Sequence, residues 1–316
     1  MIFWISANIS CIIVAGGNEG PSVEVLTDNR RTKELPNLPE QVKGNQDTFS
    51  KNAKVDYSRS SLVLHDGTIL LCGGRNNMKN CLQLDHSTWK THSVFNAARV
   101  GHSSVTTRNA TFLFGGTFSR KSFEYLPKGS NTWLLGMTLI PGYGFNDGCA
   151  IAIKSEEEIL LIGGFKTEKR ILSFNVKDHT FRELPFRLNE GRIGHRCAFI
   201  PKTKKVMITG GCVLNSTEIL DTENENIINS NPLNFKRRHH GMGILTINCE
   251  DRLATFGGEN RKAIDNFELY NTQTEEWEPV DLKLKGPRAD FGFLTVKLDT
   301  VLPRLQYFSV QNTDSL

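Results

Sequence analysis

The sequence predicts an all-β fold, a six-bladed propeller with each blade a four-stranded antiparallel sheet. Three observations predict it. A strand-like apolar run ends in Gly-Gly six times along the 316 residues. The first glycines stand at 16, 73, 115, 163, 210 and 257, so the spacings are 57, 42, 48, 47 and 47. Other strand signals keep register with the glycines, giving four short strands per unit of about 47 residues. One four-stranded sheet cannot cover both of its faces. Arranged radially, each sheet packs on its neighbours and only short edges remain.

Each element follows in order. The glycine-bearing strands run from Cys11 to Gly17, Ile69 to Gly74, Phe112 to Gly116, Ile159 to Gly164, Val206 to Gly211 and Leu253 to Gly258. The pairs Gly16/Gly17, Gly73/Gly74, Gly115/Gly116, Gly163/Gly164, Gly210/Gly211 and Gly257/Gly258 are read as structural, since glycine permits positive φ and close approach of a neighbour. No helix follows them that would cradle a phosphate. Upstream lies an apolar strand opened by glycine and small residues, as at Gly101, Gly148, Gly194 and Gly241, and a polar turn such as His65-Asp-Gly67 joins the two. Downstream, an alternating strand carries a glutamate at one place, as Glu24, Glu124, Glu218 and Glu268. A fourth strand carries an aromatic, Trp89, Trp133, Phe181 or Trp277, which blades one and five lack. Trp133 and Trp277 are expected between blades. The wide first spacing reflects a polar insertion at residues 40–57.

No glycine pair follows Phe291 where the period places one. The strand Phe291 to Val296 is therefore expected to pair with Cys11 to Ala15 and close the first blade. Met1 to Ile5 is then a competitor for that place or a short accessory strand. The propeller occupies residues 1–298, and 299–316 form a C-terminal tail.

These residues resemble the kelch repeat from about residue 9 to residue 298. The likeness rests on the paired glycines, the phased aromatic, and the openings Arg99-Val-Gly-His102 and Arg192-Ile-Gly-His195. Blades one, four and five depart from it in lacking the tryptophan. Blade four also lacks the opening arginine, having Pro141-Gly-Tyr-Gly-Phe-Asn-Asp-Gly148. The resemblance implies a propeller related to galactose-oxidase-like and kelch-adapter propellers, the latter often working beside a BTB domain, for which this chain has no room.

Composition narrows the function. The net charge of +4, from 38 basic and 34 acidic residues, is weak for a nucleic-acid binder. No apolar stretch is long enough for a membrane span. The apolar start lacks the positive charge with which a secretory signal opens. Seven scattered cysteines, without Cys-x-x-Cys spacing, read neither as a disulfide framework nor as a zinc site. They point to the cytoplasm, while three Asn-x-Ser/Thr triplets, at Asn8, Asn109 and Asn215, keep an extracellular site open.

The openings Arg59, Arg99, Arg192, Arg237 and Arg288 are the candidate partner-binding residues, on the face that kelch propellers commonly present to partners. Either they brace their own loops or they take up carboxylates of an acidic partner segment. Tyr143 and Phe145, beside Asn146 and Asp147, are candidate aromatic anchors or packed residues. The equivalent His102, His195 and His240 are read as repeated structural hydrogen bonds. The run from Asp85 to Trp89 is only faintly like a sialidase Asp-box and lacks its glycine. No catalytic residue, metal or cofactor is assigned. The reading is an interaction scaffold that binds another protein. The alternative is a carbohydrate-active propeller enzyme, a copper oxidase or a mutarotase.

Overall fold

In the computed structural model, residues 9–18, 20–27, 33–39, 56–75, 78–85 and 88–299 are described. Six four-stranded antiparallel sheets form the blades. Blades two to six each take their strands from one stretch of chain, beginning at Ser61–His65, Ser103–Thr106, Cys149–Ile153, Arg196–Phe199 and Gly241–Ile247. Blade one is assembled from both ends: Gly292–Lys297 lies against Ser10–Ala15, followed by Val23–Leu26 and Lys33–Leu35. The closing register runs from Ser10 opposite Lys297 to Ala15 opposite Gly292, as the repeat phase predicts. Blade six adds a small hairpin, Glu259–Asn260 with Lys262–Ala263, after its glycine pair. Residues 1–8, most of the 40–57 insertion, His86 and Ser87, and the tail from 300 lie outside the described residues.

The glycine-bearing strands read as unbroken apolar runs because both of their faces are covered. Cys11, Ile13 and Ala15 pack toward blade two with Leu62, Ile69 and Leu71. Ile12 and Val14, the alternate residues, pack toward blade six with Leu245, Ala254 and Phe256. The period-2 geometry of a strand makes this split automatic. The same division repeats around the ring, so the core is a set of inter-blade layers. Trp133 and Trp277 are buried in two of them.

The glycine pairs are needed where neighbouring blades touch. Gly115 has φ +68°, and a Cβ there would stand 1.9 Å from the Phe145 carbonyl oxygen. A Cβ on Gly73 would stand 2.7 Å from both the Arg99 carbonyl oxygen and the His102 ring.

The cysteines correct the sequence reading. Cys72 and Cys81 face each other across adjacent strands of blade two and form a disulfide. Cys149 and Cys197, on the innermost strands of blades four and five, form a second that staples the blades together. Among the described residues Cys11, Cys212 and Cys249 are free.

Candidate functional site

Antiparallel connectivity sends the inter-blade loops and the loops after the glycine pairs to one face, called here the loop face. The hairpin turns lie on the opposite face. The opening arginines were expected around the rim of the loop face, and here the structure corrects the sequence reading. Arg99, Arg192 and Arg237 are completely buried and Arg288 is nearly so. Each guanidinium meets the repeating glutamate of its own blade: Arg99 with Glu124 at 3.0 Å, Arg192 with Glu218 at 2.8 Å, Arg237 with Glu268 at 2.7 Å and Arg288 with Glu24 at 3.3 Å. The first three also donate to the carbonyl of the blade's first paired glycine, Gly115, Gly210 or Gly257. The glutamates in turn accept from backbone N–H groups of the incoming loop, at Asn96 and Ala97, Asn189 and Glu190, Asn234 and Phe235, and Lys285. These arginines are clamps that fasten each inter-blade loop to its blade, with no surface to offer a partner.

Blades two and four hold the same places with apolar side chains. Phe145 accepts a backbone bond from Gly116, just as Arg192 accepts one from Gly164. Phe145 is buried with Leu172, which stands in the register of the glutamates. In blade two, Tyr57 and Leu82 are the corresponding buried pair. Phe145 is therefore a packed residue and not an exposed anchor, whereas Tyr143 is 63% exposed.

Arg59 is not equivalent to the other four arginines. It stands two residues after the clamp position, with Gly101, Asp147, Gly194, His239 and Asp290. These six residues form a closed ring about the axis. Each backbone N–H donates to the carbonyl of the preceding member, Gly101 to Arg59, Asp147 to Gly101 and so on to Arg59 itself, over 2.6–3.1 Å. All six have φ between +51° and +71°. Beneath the ring lies an axial cavity of about 240 Å³. Arg59 bridges Asp147 at 3.0 Å and Asp290 at 3.4 Å, and His239 meets Asp290 at 3.0 Å. Burial pushes the Asp290 carboxyl upward, but the His239 contact and the charges of His239, Arg59 and Arg196 outweigh it and hold the group below the usual carboxylate range. The axial charges thus neutralise one another.

The repeated histidines hold a structural place. The His102, His195 and His240 rings lie over the first paired glycines of the preceding blades, Gly73, Gly163 and Gly210. His102 shares a hydrogen bond with Ser61 Oγ and His240 one with Thr209 Oγ1, both at 2.8 Å. Burial, reinforced by Arg99, pushes His102 down to about 3. Burial, with Arg192 and Arg196, does the same for His195, also to about 3. The unfolded chain takes up these protons near the ordinary value of about 6.5. Stability from the neutral rings is therefore fully present above about pH 6.5 and is lost as pH falls toward about 3. A lower melting temperature at pH 5 than at pH 7.5 is expected, and an unchanged one would contradict neutral packing of these rings.

An exposed patch that the sequence only half disclosed lies on the loop face of blades three and four. Phe118, Tyr143 and Phe165 are exposed there. Lys166 Nζ lies 5.0 Å from the Tyr143 ring centre, and Arg120 lies 5.4 Å from that of Phe165. An open groove of about 460 Å³ continues from Tyr143 and Lys166 past Lys169, Arg170 and Arg187.

No family model matches the chain, and no curated protein matches it. Many solved structures share its fold. One is a fungal alcohol oxidase of the AA5 family solved in complex with copper, with 15% identity and a TM-score of 0.61. The match covers 89% of this chain and 66% of that one, and at such identity the likeness concerns the fold. Among the described residues the donor set at the axis does not fit a copper centre. Among the described residues no three His, Cys, Asp or Glu side chains converge on a metal position, and the axial carboxylates of Asp147 and Asp290 are taken by Arg59 and His239. In fold, the chain is a six-bladed β-propeller of four-stranded antiparallel sheets, similar to that of the alcohol oxidase.

Proposed function

We propose that this propeller is a protein-interaction module that takes a short acidic, aromatic-bearing segment on the loop face of blades three and four. The observation that carries the reading is the exposed trio Phe118, Tyr143 and Phe165 interleaved with Arg120 and Lys166. Exposed aromatics are the side chains that anchor interfaces. Cations beside them favour carboxylates and speed encounter. Arg170 and Arg187 are shared with Glu183, and Lys169 donates to the Asn189 carbonyl, so Lys166 and Arg120 are the cations best placed to meet a ligand.

The test is binding of an immobilised library of Glu- and Asp-rich peptides carrying one aromatic residue. Tyr143→Ala combined with Lys166→Glu should weaken the best peptide at least about tenfold, since loss of one anchor typically costs about 2 kcal/mol or more. Both sites are exposed, so unfolding free energy should change by less than about 0.5 kcal/mol per substitution. Undiminished binding by the stable double variant, or no bound acidic peptide at all, would remove this reading.

A further inference from the structure

Of the three Asn-x-Ser/Thr triplets, Asn8 lies outside the described residues. Asn215 is half-buried, and its Nδ2 donates to the Leu233 carbonyl at 3.0 Å. Asn109 differs. It sits with Arg108 at the tip of the hairpin between Ser103–Thr106 and Ala110–Phe114, and it is exposed. Lys128 N donates to the Asn109 carbonyl at 2.8 Å, which fixes the tip, while the side-chain amide makes no hydrogen bond among the described residues. The site is on the hairpin face, away from the acidic-segment patch.

Two further observations point to a covalent occupant. The two disulfides belong to an oxidising compartment, and the transfer of glycans to Asn-x-Thr takes place on that route. Asn109 also opens into a groove of about 670 Å³ between blades three and four. Its wall includes Tyr125, Pro127, Val176 and His179, with Phe112 behind them. The volume is within the about 300–1,000 Å³ range of small-molecule sites. Aromatic faces carry negative charge density and suit the C–H face of a pyranose ring.

We propose that Asn109 carries an N-linked glycan whose first sugars lie along this groove. In the transfer, Asn109 Nδ2 bonds to the anomeric carbon of a lipid-pyrophosphate-linked oligosaccharide. The bond from that carbon to the pyrophosphate oxygen breaks, the pyrophosphate leaves with the electron pair, and Nδ2 loses one proton. The maturation route is therefore secretory rather than cytoplasmic.

The experiment is peptide mapping of the full chain produced in a eukaryotic cell, with and without peptide-N-glycosidase F. Asn109 should be recovered as Asp after the enzyme, and Asn109→Gln should lose the corresponding gel shift. Deglycosylation should lower the melting temperature of the wild-type protein by a few degrees and have no effect in Tyr125→Ala, which removes the groove wall. Asn109 recovered unmodified, with the cysteines paired or free, overturns the proposal. A glycan whose removal leaves the wild-type melting temperature unchanged overturns the groove. Neither result bears on peptide binding at the opposite face.

Discussion

Replacing Glu268 with leucine alone is expected to destabilise the propeller by about 3–5 kcal/mol, and adding Arg237→Phe is expected to return the part of that loss that comes from the unpaired guanidinium. The single change leaves a buried guanidinium without its carboxylate, which is the costly way to break a buried pair. Both the single and the double variant also strand the N–H groups of Asn234 and Phe235, which donate to Glu268 in the wild type. The double change reproduces in blade six what blade four already contains, Phe145 packed with Leu172. Replacing a buried ion pair by well-packed apolar residues is often neutral or better. The two positions touch, so their effects should be strongly non-additive. Chemical unfolding of the wild type, both single variants and the double variant measures the coupling. Simple addition of the two single losses would show that the apolar pairs of blades two and four are not equivalents of the clamp.

The fold was legible because one constraint is written six times. A glycine pair must recur wherever a blade's central strand ends against the next opening loop, and the apolar runs must be unbroken because both strand faces are covered. The clamp was half legible. The repeating glutamate and the opening arginine were each visible, and the chain also carries the sign that they belong together. Blades with Leu82 or Leu172 in place of the glutamate have Tyr57 or Phe145 in place of the arginine. Arg59 obscured this, since it lies only two residues from the clamp position. What the ring position constrains is the backbone, with its positive φ and its hydrogen bonds, so arginine, glycine, aspartate and histidine all occur there. Cysteine pairing was not legible, because connectivity depends on which strands become neighbours. Cys149 and Cys197 meet only through the packing of two blades. The patch at Phe118, Tyr143 and Phe165 comes from three separate loops, and of the three only Tyr143 interrupts the repeat pattern in a way the sequence discloses.

Deleting residues 287–316 is expected to leave the protein insoluble or unable to fold stably. The deletion removes Gly292–Lys297, whose six residues are in register with Ser10–Ala15. It exposes a flat apolar strand edge, the kind of surface that pairs with other chains. It also removes Arg288 from Glu24, a carboxylate only 1% exposed, whose pKa burial already raises against the pull of Arg288 and Lys285. Phe291, stacked on Phe256, goes with it, opening the layer between blades six and one. One buried aromatic lost typically costs about 3–5 kcal/mol. An orphaned buried carboxylate adds a similar amount. Together these approach the entire stability of a typical domain, about 5–15 kcal/mol. Soluble yield and thermal unfolding of the truncated chain provide the measurement. If it melts where the full chain does, the ring does not depend on the C-terminal strand, and Ser10–Ala15 must find its edge partner elsewhere.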